Sequence, residues 1–231
     1  MNYLFEAFQK AFGLIIHFDR ELAVVVWTSL RVSLMATLLA SLVGVPLGFF
    51  IASSRFRGKR QLEIVLNTSM ALPTVVIGLV VYSFISRRGP LGVYGLLFTP
   101  TAMIIGQFIL ATPIITALSL SATKSVDVRV GETARTLGAT AVQAAGATIG
   151  EARYAILVAI AAGFGRVIAE VGSAMILGGN IEGYTRTMTT AIALETGKGE
   201  FSLAIALGLV LLLIALMVNA MVQSFRLKRA S

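Results

Sequence analysis

Residues 131–153 read GETARTLGATAVQAAGATIGEAR. Small residues fill the stretch, an acid (Glu132) opens it, and Gly138 stands six positions further on. The pattern predicts a small-residue helix that ends in a glycine turn. Such an element can enter another protein's cleft and present the Glu132 carboxylate to a basic group there. An ordinary Ala-rich helix lying on a membrane face has the same composition, so the flanking sequence has to decide.

On both sides the chain is built for lipid. Of 231 residues, 57% are hydrophobic and 13% are charged, with a mean hydropathy of +0.88. Soluble domains carry about a quarter charged residues, and a water-soluble fold of this length could not hide so much apolar surface. A soluble enzyme, a disordered tail and a coiled coil are excluded. About 20 apolar residues cross a bilayer core, and five runs of that kind are found, over about 23–52, 64–85, 101–121, 154–177 and 202–224. The expected fold is an all-α integral membrane bundle. Residues 1–21 read as an N-terminal amphipathic interfacial helix, with Leu4, Phe5, Phe8, Phe12, Ile15 and Ile16 on one side and Glu6, Gln9 and Lys10 elsewhere. Without a basic start, they do not read as a cleavable signal. Residues 22–231 form the transmembrane domain.

A net charge of +8 on a soluble protein would suggest nucleic acid. Here the distribution matters more, because Lys and Arg collect on the cytoplasmic side. Segments 53–63 and 122–153 and the C-terminal tail carry eleven Lys and Arg, and the opposite connections carry six. The expected topology is a multi-pass cell-membrane protein with its N-terminus outside and C-terminus in the cytoplasm, and no nucleic-acid partner. Stretch 131–153 then lies in the long cytoplasmic connection between spans three and four.

Catalytic machinery is missing from the sequence. There is no cysteine, a single histidine (His17), no G-x-S-x-G and no paired-His metal motif. Gly197–Lys198 is followed by Gly199, and Ile192 occupies the place of the first P-loop glycine. The chain is not expected to be an enzyme, nor to hold a metal or cofactor.

Stretch 131–153 resembles the EAA loop of ABC-importer permease subunits, whose pattern is Glu-Ala-Ala, three residues, then Gly. Glu132 and Ala134 match, Thr133 replaces the middle alanine, and Leu137–Gly138 match in the context ARTLGAT. The Leu-Pro pair that follows in the family is replaced by Gly150 and Glu151. SLRVSLMATLLASLVGVPLGFFIASSRFRGKR (29–60) resembles the first core helix of these permeases, with Gly44, Pro46 and Gly48 at its end, and ALPTVVIGLVVY (71–82) resembles the next. The resemblance implies a type I importer permease fold and a homodimer. It also implies two ABC ATPase subunits, which bind ATP and Mg²⁺ and dock on Glu132, Thr133, Ala134, Leu137 and Gly138. Gly44 and Gly48 read as close helix packing, and Pro73 and Pro113 as kinks.

Two further segments stand out. Arg166 and Glu170 are four residues apart in span four, on one helix face. Charges inside a membrane face the bundle interior or a wet path, so the pair is either a pathway or gate element or a structural ion pair. Arg31, near a span end, can snorkel. The second segment, EVGSAMILGGNIEGYTRTMTTAIALE (170–195), resembles the matching region of oxyanion permeases (molybdate, sulfate, tungstate), most of all the tungstate branch. Its Gly179, Asn180, Ile181, Gly183, Thr185 and Thr187 supply N–H and hydroxyl donors suited to a tetrahedral dianion, with Arg186 nearby. An extracytoplasmic oxyanion-binding protein is the implied donor of cargo. An ion-coupled secondary transporter is the rival reading. It needs buried acids and repeats, and Glu170 is the sole acid well inside a span, with no repeat visible.

Overall fold

A computed structural model describes residues 2–17 and 19–227. Among these, the secondary structure is helical throughout: α1 (Asn2–Ile16), α2 (Arg20–Ser53), α3 (Lys59–Ser69), α4 (Thr74–Ile85), α5 (Pro100–Lys124), α6 (Val128–Thr136), α7 (Ala141–Ile168), α8 (Gly172–Gly178), α9 (Met188–Lys198) and α10 (Phe201–Leu227), with one 3₁₀ turn at Gly92–Tyr94.

Local sequence sets the helix starts. Asp19 accepts the N–H groups of Glu21 and Leu22 and opens α2. Thr99 caps α5, and Pro100 occupies the first turn, where no N–H is needed. Thr140 and Gln143 form a capping box at α7, and Thr187 and Thr190 form one at α9.

Among the described residues four helices (α2, α5, α7 and α10) are long and apolar enough to cross a membrane, and the total is five if the bent pair α3–α4 counts as one broken span. The second span is not the continuous run expected over 64–85. The chain bends by 98° between α3 and α4, with Pro73 extended at the start of α4. Proline's ring disfavours a helical residue before it and removes an N–H, so helix cannot run through. Pro113 and Pro46 are instead carried inside α5 and α2.

The fourth span also differs from the expected 154–177. α7 begins at Ala141, takes in the last part of the connection (141–153), and stops at Ile168; α8 continues after a break at 169–171. The polar segment after it is not only a connection, since α9 folds back with Met188, Thr189, Thr190, Ala191 and Glu195 buried.

α2 and α5 run side by side as the spine. At Gly48 a Cβ would sit 2.6 Å from Thr116 O and 2.8 Å from Leu120 N, and at Gly44 3.1 Å from Ile115 Cγ2. Glycine is therefore what lets these backbones meet. One apolar core joins α2, α4, α5, α7 and α8 through Ala40, Val81, Leu110, Ile115, Val167 and Leu177. A second joins α1, α2, α7, α9 and α10 through Ala11, Val25, Phe164, Met188, Ala191 and Leu207. α1 thus belongs to the bundle through Ala11, while Phe8, Phe12 and Ile16 stay exposed. Leu212, Leu213, Leu216 and Met217 on α10, and Val75, Val76, Leu79 and Val80 on α4, form largely apolar exposed faces, as lipid contact favours.

Candidate functional site

At one end of the bundle, residues 127–140 form a short projecting helix and turn. Asp127 opens α6 by accepting the Arg129 N–H at 2.9 Å. Its carboxylate also takes Arg129 Nη2 at 2.6 Å. The Arg129 guanidinium first, and the backbone bond second, hold the Asp127 carboxyl below its ordinary range.

α6 ends in a Schellman motif. Gly138 N donates to Arg135 O (3.0 Å) and Ala139 N to Ala134 O (3.0 Å), with Gly138 left-handed at φ +88°. Glycine reaches that φ without the strain any side chain would bring. The glycine turn expected from sequence is therefore present, and it turns the chain into α7.

Glu132, Thr133, Leu137 and Gly138 are exposed and Ala134 is half-buried. Leu137 is 83% exposed, alongside Val128 and Val142 at 74% and 82%. Val128 and Val142 were not singled out in the sequence, where single valines carry no signal. Val128 begins α6 and Val142 lies in the first turn of α7, so their exposure on either side of the Gly138 turn is visible only once the helix ends are known.

The second cluster lies deeper. Gly163, one turn before Arg166, packs on Ile115 in the middle of α5. Arg166 Nη1 meets Glu170 Oε2 at 2.8 Å. Glu170 lies not on the α7 helix face but in the break after it, and its other oxygen accepts Ser173 N at 3.0 Å. Its main-chain carbonyl accepts Thr189 Oγ1 at 2.7 Å. One buried residue thereby ties α7, α8 and α9 together. Its partner Arg166 is half-buried, on a face with Ala161, Ala162, Gly165 and Ala169 that is otherwise small and exposed or half-exposed.

The threonines of segment 179–187 use their hydroxyls on the chain itself. Gly179 and Asn180 are the left-handed residues that end α8. Thr185 is buried, receives Ile181 N at 3.0 Å and donates to Gly178 O. Thr187 is buried as the cap of α9. Arg186 faces Glu21 at 3.4 Å and Glu182 at 3.5 Å. Asn180 Oδ1 is buried without a partner among the described residues. Gly179 and Asn180 thus shape the end of α8, Thr185 ties the turn back to Gly178, and Thr187 caps α9 separately, while Glu170 is linked to α9 through Thr189 rather than through these four.

The model of the family described as "binding-protein-dependent transport system inner membrane component" matches residues 44–229, most of the chain. The chain belongs to that family. This permease is 42% identical over 226 residues (98% of its length and 99% of the relative's) to the tungstate uptake system permease protein TupB of Peptoclostridium acidaminophilum. It is 30% identical over 209 residues, 82% of its length and 91% of the relative's, to the molybdenum transport system permease protein ModB of Escherichia coli K12. Its fold matches a chain of the inward-facing MetNI methionine ABC transporter with a TM-score of 0.72, at 17% identity, over 91% of this chain and 95% of that one. The family resemblance drawn from the sequence thus holds. The permease is a multi-pass membrane transport component with the type I ABC importer fold, and not an enzyme.

Proposed function

We propose that this permease carries tungstate into the cell as the transmembrane subunit of an ATP-driven importer. The observation that carries the substrate is the 42% identity to TupB across nearly the whole of both chains, against 30% to ModB. Molybdate and sulfate are the next candidates, since all three are tetrahedral dianions.

The geometry supports the rest. α6 projects with an exposed rim of Val128, Leu137 and Val142 beside Glu132. In this reading that rim, with Glu132, Thr133, Ala134, Leu137 and Gly138, is where two ATPase subunits dock. ATP and Mg²⁺ belong to those subunits and this chain binds none. The end bearing Arg55, Lys59, Lys124 and Arg135 faces the cytoplasm, the N-terminus is outside, and an oxyanion-binding protein delivers cargo there.

The α7 face around Arg166 argues for a homodimer. A half-exposed guanidinium one helical turn beyond the Gly163–Ile115 contact, within an apolar span, is costly against hydrocarbon. The valine-rich face of α4 and the leucine-rich face of α10 suit lipid; this small-residue face suits water or a second copy. We assign it to the two-fold axis, so that Arg166 and Glu170 border the pathway. Gly179, Asn180, Thr185 and Thr187 then brace it from the outer side rather than holding the anion by their side chains. ATP closure of the ATPase pair draws the α6 loops together, and the spans shift between inward-open and outward-open states.

Co-purification tests the assembly. The chain should elute as a dimer with an ATP-binding subunit, and its deletion should abolish tungstate uptake. A stable monomer that supports ion-gradient-driven uptake with no ATPase would overturn the reading.

A further inference from the structure

A cavity of about 610 Å³ opens between the ends of α2 and α5, the side of α6 that carries Val128, Gly131, Glu132 and Arg135, and the first turns of α7. Six charged side chains line it: Arg55, Lys59, Lys124, Arg135, Asp127 and Glu132. Two of these six charges are already answered. Asp127 is held by Arg129, and Lys124 by Glu63 at 2.8 Å. Lys59 Nζ donates to two carbonyls at the end of α2, Ala52 O (2.9 Å) and Ser54 O (3.0 Å), so it is fixed in place but its charge is not neutralised. Arg55 and Arg135 have no ion pair among the described residues. Among the described residues, three cations without an ion pair therefore face one acid without one, Glu132, around a half-open cavity. The start of α7 adds the positive end of its dipole at Ala141, Ala144 and Ala145.

We propose that this cavity is a second anion site, which takes a small tetrahedral oxyanion from the cytoplasmic side between Arg55 and Arg135. Arg55 follows α2 and Arg135 belongs to α6, so an anion held by both braces the projecting helix against the bundle. Guanidinium groups suit this task, since each offers paired N–H donors to two oxygens of one anion. A bound anion holds α6 at one distance from α2 and slows the movement that couples it to the ATPase. The slowing rests on the permease reading above, but the binding does not. An anion site in a chain that drives no uptake leaves this inference standing, and loss of the site in an uptake-competent chain removes it alone.

The ligand could come from free oxyanion or from a lipid phosphate, so the test has two arms. The full chain, with any subunits that accompany it, is placed in phosphatidylcholine nanodiscs, and binding of tungstate and of radiolabelled inorganic phosphate is measured by equilibrium dialysis. Saturable binding is expected, weakened about tenfold or more in both Arg55→Gln and Arg135→Gln, partly kept in Arg135→Lys, and unchanged in Arg87→Gln at the far end. In the second arm phosphatidylglycerol is included. Loss of the Arg-dependent binding there identifies the headgroup as the occupant, and its persistence identifies the free anion; both keep the site. Absence of saturable binding in neutral lipid, or binding that ignores Arg55 and Arg135 in variants that elute as the wild type does, overturns it.

Discussion

Arg166 and Glu170 share a 2.8 Å ion pair yet differ sharply in exposure, 38% for the arginine side chain against 2% for the glutamate. The pair is therefore asymmetric. Removing the arginine strands a buried carboxylate, while neutralising the glutamate leaves a guanidinium that can still reach water. Arg166→Ala should destabilise the bundle by on the order of 3 kcal/mol. Glu170→Gln keeps an acceptor for Ser173 N and should cost clearly less. Detergent thermal-shift midpoints of the two variants check the order, and equal midpoints would remove the argument. Arg166→Ala should also impair uptake more than Arg31→Ala at equal expression.

Gly138 tests the turn that ends α6. A Cβ there meets nothing within 4 Å, so Gly138→Ala pays only for its left-handed backbone, about 1–2 kcal/mol locally, and should keep most coupling. Gly138→Pro cannot reach φ +88° and loses the N–H that bonds Arg135 O. It should uncouple uptake from ATP hydrolysis while leaving the protein in the membrane, as should Glu132→Ala. Normal substrate-stimulated ATPase activity in both Glu132→Ala and Gly138→Pro would contradict the coupling role of α6.

The α2–α5 contact ranks two glycines. At Gly48 an added Cβ collides with backbone at 2.6 Å, while at Gly44 the nearest atoms are side chains at 3.1 Å and backbone at 3.2 Å. Gly48→Ala should lower the melting temperature more than Gly44→Ala, because main chain in a packed helix cannot step aside. The reverse order in a thermal melt would contradict the packing.

Ser29 joins α2 to α9. Its hydroxyl accepts Met188 N at 2.7 Å and donates to Val25 O. Ser29→Ala strands a buried N–H and should cost about 1–3 kcal/mol. Faster amide exchange at 188–191 in the variant is the expected signature.

Asp127 provides a pH test outside the membrane. Its folded carboxyl lies below the ordinary value of 3.8, so its contribution to α6 is complete above that value and fades as pH falls through the depressed one. Asp127→Asn should loosen the start of α6 at neutral pH. The wild type should approach the variant only under strong acid, as read by helix-specific spin-label mobility at residue 130.

Much of this was legible in the chain. Lipid-length apolar runs announced the spans, and the Gly138 context announced the turn after α6. Two helix breaks were not legible, for different reasons. Pro73 was visible as a kink, but a 98° bend depends on how α3 and α4 pack. The break at 169–171 has no proline at all, and an apolar run such as 154–177 looks continuous because periodicity is blind to a single non-helical turn. The Thr-rich segment suggested anion donors by composition. Only the three-dimensional pairing shows Thr185, Thr187 and Thr189 bonding to their own chain, since donors to a ligand and donors to a carbonyl are the same residues in a sequence.

The central claim, ATP-driven uptake of tungstate, is tested most directly in proteoliposomes holding the permease with its ATPase subunit. ATP hydrolysis is measured with the oxyanion-binding protein supplied outside, loaded in turn with tungstate, molybdate or sulfate. The account predicts stimulation that requires the binding protein, is strongest with tungstate, and is lost in Glu132→Ala. Hydrolysis that is indifferent to the loaded binding protein, or stimulation by sulfate or molybdate with none by tungstate, would contradict it.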